Sequence, residues 1–218
     1  MKPIKTILAS LLKFLYFQII NRTRLRELVK HITIHLREGD CVLDVGCGTG
    51  VLGLAIMESP YCPPRVKVTG LELIKHAIEH VTIKFYDGYK IPYQNNSFDI
   101  IILSDVLHHE PDPHNLIAEC VRISRRLIII KDHKVEGILA KLRISLFDWA
   151  RNLPYGIPCL YRYNTAKEWK DWFRHHNLLI EHEVRSLKLY PPILNFLFGM
   201  RLHIFVVLRV NGIGLSSI

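Results

Sequence analysis

The stretch VLDVGCGTG, residues 42–50, ends an apolar run on three alternate glycines, Gly46, Gly48 and Gly50, and carries one acid, Asp44. Glycine-rich turns after a strand usually cradle phosphates, because bare backbone N–H groups can approach an anion closely. Gly48 to Gly53 also spell G-x-G-x-x-G, and Glu72 follows at about the distance of a ribose-binding acid. Asp44 argues against a phosphate, since it places a like charge close to where a pyrophosphate would lie. The same carboxylate attracts a cation.

S-adenosylmethionine has no phosphate and carries both an ammonium and a sulfonium, so the acid that repels a dinucleotide favours this cofactor. The glycine turn is therefore read as a turn for S-adenosylmethionine.

The segments around it alternate between strand and helix. NSFDIIILS (96–104) and RLIII (126–130) are continuous β-rich runs, as strands covered on both faces require. VKVTGLEL (66–73) and VTIKFYD (81–87) are two more, with a short helical piece expected around Lys75–His80. Residues 115–124 read as a helix, and NTAKEWKDWFRHH (164–176) as another, with Thr165 and Glu168 at capping-box spacing. LLIEHEVRSL (178–187) and HIFVVLRV (203–210) lie either side of a Pro-Pro turn at 191–192 and suit an antiparallel pair. This is the pattern of an α/β fold with a mostly parallel sheet.

Four spaced elements between about residues 40 and 131 resemble the class I methyltransferases that use S-adenosylmethionine, in the broad subgroup that includes ubiquinone- and menaquinone-biosynthesis enzymes. The resemblance implies a Rossmann-like, mostly parallel seven-stranded sheet with an antiparallel C-terminal strand and helices on both faces. By it, Asp44, Gly46, Cys47, Gly48 and Gly50 form the first cofactor motif. Glu72 would hold the ribose hydroxyls and Leu73 would pack on the adenine. Asp87 would accept from the adenine amino group, with Gly88 leaving room for the ring. Asp105 and Leu107, in SDVLHHEPDP, would lie near the methionine part. The Pro-Gly-Gly turn common before the fifth strand in this family is missing, since RISRRLIII runs straight through.

Methyl transfer from a sulfonium is an in-line displacement, and a general base is needed only when the acceptor must lose a proton. The candidates are His108, His109, His133 and Tyr161. The crowded HHEPDPH, with His108, His109, Glu110, Asp112 and His114, matches no ligand signature, and no metal is expected there. Asp105 and Asp132 alone make a thin case for a metal-dependent catechol-type site. The position after the fourth strand reads Ser104-Asp105-Val106-Leu107 rather than the Asp/Asn-Pro-Pro-aromatic tetrad that holds a flipped base, so nucleic acid is not the expected substrate.

The 218-residue chain has a net charge of +9 and five scattered cysteines with no C-x-x-C pair, which excludes a disulfide framework or zinc ribbon and suits a cytoplasmic setting. Basic residues crowd the first 37 positions, against Glu27 alone. Within them Ile4, Ile7, Leu8, Leu11, Leu12, Leu15 and Ile19 recur at helical spacing, but Lys13 interrupts the run and no cleavage site follows. Residues 1–37 are expected to form an amphipathic lid, or a surface in peripheral contact with the anionic inner face of a membrane. Residues 38–218 are expected to form the cofactor-binding domain, with a lid insertion at about 133–163. The expected function is methyl transfer to a small, apolar, lipid- or quinone-like acceptor. The alternative is a membrane-associated or partner-binding protein that keeps the fold without turnover.

Overall fold

The structure is a computed structural model that describes residues 20–152, 160–199 and 201–211; the expectation for residues 1–19 falls outside them. The chain runs α1 (Arg22–Thr33), β1 (Cys41–Val45), α2 (Val51–Met57), β2 (Lys67–Glu72), β3 (Ile83–Phe85), β4 (Phe98–Ser104) and α3 (Pro113–Ile123). It continues β5 (Ser124–His133), α4 (Ile138–Asn152), α5 (Ala166–His175), β6 (Leu178–Glu183), α6 (Pro192–Phe198) and β7 (His203–Val210).

The strands form one seven-stranded sheet in the order β3-β2-β1-β4-β5-β7-β6. β7 alone runs against its neighbours, pairing antiparallel with both β5 and β6, while the pairings from β3 to β5 are parallel. Alternate residues of the central strands feed two separate cores. Val42, Ile100 and Ile102 pack with Leu28 and Ile32 of α1 and Ile56 of α2. Leu43, Ile101 and Leu103 pack with Ile117 of α3 and Trp169 and Phe173 of α5. The period of two along each strand is what sends its side chains to both layers.

The chain leaves β1 toward β2 and β3 on one side, and returns to β4 and β5 on the other. The carboxyl ends of β1 and β4 therefore flank a reversal of strand order, where open α/β sheets form a ligand crevice. The sheet puts the glycine turn and the segment after β4 at that crevice.

Several elements depart from their sequence reading. No helix forms around Lys75–His80. So short a segment pays helix nucleation without enough hydrogen bonds to offset it, and the His80 N–H is tied instead to the Thr49 carbonyl at 2.8 Å. The Pro-Pro pair does not simply turn the chain: Pro191 caps α6 and Pro192 begins it, where a missing N–H costs nothing. Where the Pro-Gly-Gly turn is missing, α3 passes directly into β5 at Ser124. The capping box is formed in both directions between Thr165 and Glu168.

Candidate active site

The turn from β1 into α2 is built by backbone that only glycine adopts without strain. Gly46 lies at φ +65°, and a Cβ there would sit 2.7 Å from Val106 Cγ2. Its N–H donates to the Leu71 carbonyl at 2.8 Å, which holds the turn against the end of β2. Glu72 braces it further, accepting from the Gly48 N–H and from its neighbour Leu73 N–H, each at 2.7 Å. The Cys47 thiol packs where a side chain at residue 70 would go, so Gly70 is needed on β2. Burial, then the carboxylates of Asp44 and Glu72, push that thiol well above its ordinary range.

A cavity of about 800 Å³ opens over this turn. Gly46, Gly48, Glu72, Leu73, Asp87, Gly88 and Asp105 line it, together with His109. Gly50 and Cys47 shape the turn and are not in its lining. Asp87 sits at the solvent edge, where the Tyr89 N–H donates to it at 3.0 Å and holds its carboxyl below the usual range. A Cβ on Gly88 would lie 3.4 Å from Leu73 Cδ2, so a bare backbone there keeps a slot open beside Leu73.

Beneath the cavity lies Asp44, 2% exposed. Its Oδ2 accepts no hydrogen bond from any described residue. Burial raises its pKa to about 7, against the opposing pull of Arg24 and with a further push from Glu72. By contrast Asp105, at φ +61°, is matched by two cations. Arg24 from α1 reaches it at 2.9 Å, and the buried Lys131 from β5 at 2.5 Å. Behind the glycine turn that lines the cavity there is thus a buried carboxylate oxygen with no hydrogen-bond partner among the described residues, which suits a cationic ligand group and opposes a phosphate.

A second cavity, of about 410 Å³, adjoins the first, and Glu110 lines both. Leu107, His108, His133 and Tyr161 face this second cavity, among aromatic walls that include Tyr163, Trp169 and Trp172. Leu107 is therefore on the far side from the cofactor cavity, and His109 on the near side.

The histidines sit in a buried polar network. Asp132 accepts from His108 Nδ1 at 2.6 Å, from the Leu107 N–H at 3.0 Å and from the His133 N–H at 2.6 Å. His108 Nε2 lies 3.6 Å from Asp148, a residue of α4 that also accepts from the Tyr163 hydroxyl at 3.0 Å. Burial pushes His108 down, but the attraction and hydrogen bond of Asp132, with Asp148 behind it, carry it up to about 9. A ring held in its charged form has no free lone pair, which favours a bracing role for His108 over that of a base.

His133 is the opposite case. Burial, then the neighbouring His108 and His203, hold it well below the ordinary histidine range, so it is neutral. Its Nδ1 faces His203 Nδ1 at 3.2 Å, and His203 Nε2 faces the Phe198 carbonyl at 3.0 Å. A carbonyl only accepts, so a proton on His203 Nε2 would satisfy it, but the Tyr190 hydroxyl lies 3.1 Å from the same nitrogen and can donate to it. The two arrangements place the His133 proton on opposite nitrogens, and the first leaves a lone pair on His133 Nε2. That nitrogen is buried and has no hydrogen-bond partner among the described residues.

Sequence reasoning missed Arg24, Asp132 in its bracing role and His203, whereas Asp148 and Tyr163, which do meet, were expected among the contacts of the lid. LIIIKDH did carry a signal, since a lysine and an acid at the end of a buried apolar strand must be paired. Nothing local marks Arg24, whose partners Ser104 and Asp105 lie at the end of β4.

The sheet order, the glycine turn and the acid beneath it define the class of Rossmann-like methyltransferases that use S-adenosylmethionine. The chain belongs to the methyltransferase-domain family, whose model matches residues 17–183. It is 29% identical to the 27-O-demethylrifamycin SV methyltransferase of Amycolatopsis mediterranei over 103 residues, 41% of this chain and 36% of that one. It is 28% identical to the ubiquinone biosynthesis O-methyltransferase of Nitrosospira multiformis over 118 residues, 49% of this chain and 46% of that one. The chain thus spans less than half the length of these relatives. Its fold matches that of the 1,6-didemethyltoxoflavin-N1-methyltransferase of Burkholderia thailandensis, solved with 1,6-didemethyltoxoflavin and S-adenosylhomocysteine. The TM-score is 0.61 at 18% identity, over 85% of this chain and 77% of that one. No helix among the described residues is long and apolar enough to cross a membrane.

Proposed function

We propose that the protein methylates a hydroxyl oxygen of a small, flat, largely apolar acceptor of the hydroxylated aromatic or quinone-like kind. The observation that carries this reading is the pair of adjoining cavities, one over a buried acid with an unpartnered oxygen and the other walled by aromatic rings around an unpartnered imidazole nitrogen. The relatives named as O-methyltransferases point the same way.

When bound, S-adenosylmethionine supplies a sulfonium methyl group that an oxygen nucleophile takes by in-line displacement. Asp44 would hold the cofactor's cationic end, and Glu72 and Asp87 its ribose and adenine. Tyr161, Tyr163 and Trp169 would sandwich an acceptor ring and keep water out. His133 Nε2 would receive the acceptor's hydroxyl proton in the tautomer where His203 donates from Nε2 to the Phe198 carbonyl and accepts from His133 at Nδ1. Asp132 and the His108 imidazolium fix Leu107 and His133 against each other at the junction of the two cavities.

The test is a screen of hydroxylated aromatic and quinone-like acceptors with labelled S-adenosylmethionine, reading methylated product by mass. A product whose formation falls by about 100-fold or more in kcat in His133→Gln, with acceptor KM little changed, supports the reading; general-base contributions are typically of this size. Turnover unchanged in His133→Gln would contradict the assigned proton path, and methylation at nitrogen or carbon alone would contradict the acceptor class.

A further inference from the structure

The histidine-rich turn after β4 has a second half that the methyl-transfer site does not use. His108 and His109 turn inward to the two cavities, but His114, in the first turn of α3, points outward. There it meets His175 and His176 at the end of α5, more than sixty positions along the chain. His114 Nδ1 lies 3.1 Å from His176 Nε2. One donor atom from each of the three rings lies within 4.8 Å of the other two. The His114 and His176 rings stack at 5.3 Å between centroids, and His175 approaches His114 at 5.4 Å.

We propose that His114, His175 and His176 form a binding site for a borderline divalent metal ion of the zinc kind, which staples the start of α3 to the end of α5. Two imidazole nitrogens on a tetrahedral zinc, each at about 2.0–2.1 Å from the metal, stand about 3.3 Å apart. The 3.1 Å separation of His114 and His176 is close to that spacing before any ion enters. The exposed His175 already has a donor atom within 4.8 Å of those of His114 and His176. Imidazole donors select zinc, nickel or copper over magnesium and calcium, which demand oxygen. Three exposed or half-exposed rings leave the fourth position to water.

The place of the site gives the ion a consequence. Pro113, next to His114, and Trp172, one turn before His176, both line the acceptor cavity, and Trp172 packs on the His114 ring at 4.7 Å. An ion bridging the two helix ends would fix the rim of that cavity. Metal binding itself stands whether or not the acceptor class above is right.

The test is calorimetric titration of zinc into untagged, chelator-stripped protein, with melting followed in parallel. The expected result is one equivalent bound at micromolar Kd or tighter, with Tm raised by a few degrees. His114→Ala and His175→Ala, both at exposed positions outside the core, should each weaken binding at least tenfold and lose the Tm shift. Magnesium should not compete. No binding in the wild type would overturn the proposal, as would binding left intact in both variants. So would binding lost only in His133→Gln, which would put the ion in the buried cluster of His108, His133 and Asp148 instead.

Discussion

Asp44 and His108 are both buried and both displaced from their ordinary pKa, but in opposite senses. Asp44 Oδ2 has no hydrogen-bond partner among the described residues, and burial, only partly opposed by Arg24, drives the carboxyl toward its neutral form. His108 is stabilised in its charged form by Asp132 and Asp148, which outweigh its burial. The first is a vacancy for a cation, whereas the second is already matched and serves as a brace. A histidine raised from 6.5 to about 9 contributes stability that is complete below about pH 6.5 and is lost as pH rises through 9. The wild type should therefore lose Tm between pH 7 and 10 more steeply than His108→Gln, measured by calorimetry over matched buffers. Parallel curves for the two proteins would mean that His108 is not held charged. His133 shows why residue identity alone did not single out a base: its protonation pattern depends on His203 and, through it, on the Phe198 carbonyl and the Tyr190 hydroxyl.

At the scale of elements, the β1–α2 turn depends on close approach between Gly46 and Val106, which brings the ends of β1 and β4 together. Gly46→Ala would combine a left-handed φ with a 2.7 Å contact. It should cost roughly 1–3 kcal/mol of stability by chemical denaturation, with cofactor binding lost in the folded fraction. Most elements were legible because buried strands must be apolar runs and helix starts carry caps, as in FDIIILS and Thr165–Glu168. The exceptions have local causes. The apolar pattern around Ile74 and Ile78 suggests a helix, yet both side chains stay exposed and the segment's end is held by the glycine turn. α6 was hidden because a Pro-Pro pair both stops a chain and starts a helix.

For the whole molecule, the reversal of strand order between β1 and β4 gathers residues that are far apart in sequence into two neighbouring cavities. The cofactor half was readable, since each of its acids and glycines follows a strand. The acceptor half was readable only in pieces, as His108, His133, Tyr161 and a lid at about 133–163, because it joins the end of β5, helix α4, the Tyr161–Asn164 segment and α5, and no short-range spacing encodes that meeting. Arg24 is a similar case, brought from α1 to Asp105 across the sheet edge by packing of Leu28 and Ile32. The central claim is that the orphaned carboxylate under the glycine turn receives the cationic end of the cofactor. The most direct test is calorimetric titration of S-adenosylhomocysteine into the wild type and Asp44→Ala, each at pH 6 and pH 8. The account predicts wild-type binding that tightens as pH rises through about 7, where Asp44 ionises, and a loss of about 1–3 kcal/mol with no such pH dependence in the variant. Equal affinity in the two folded proteins, or no binding by the wild type, would contradict it.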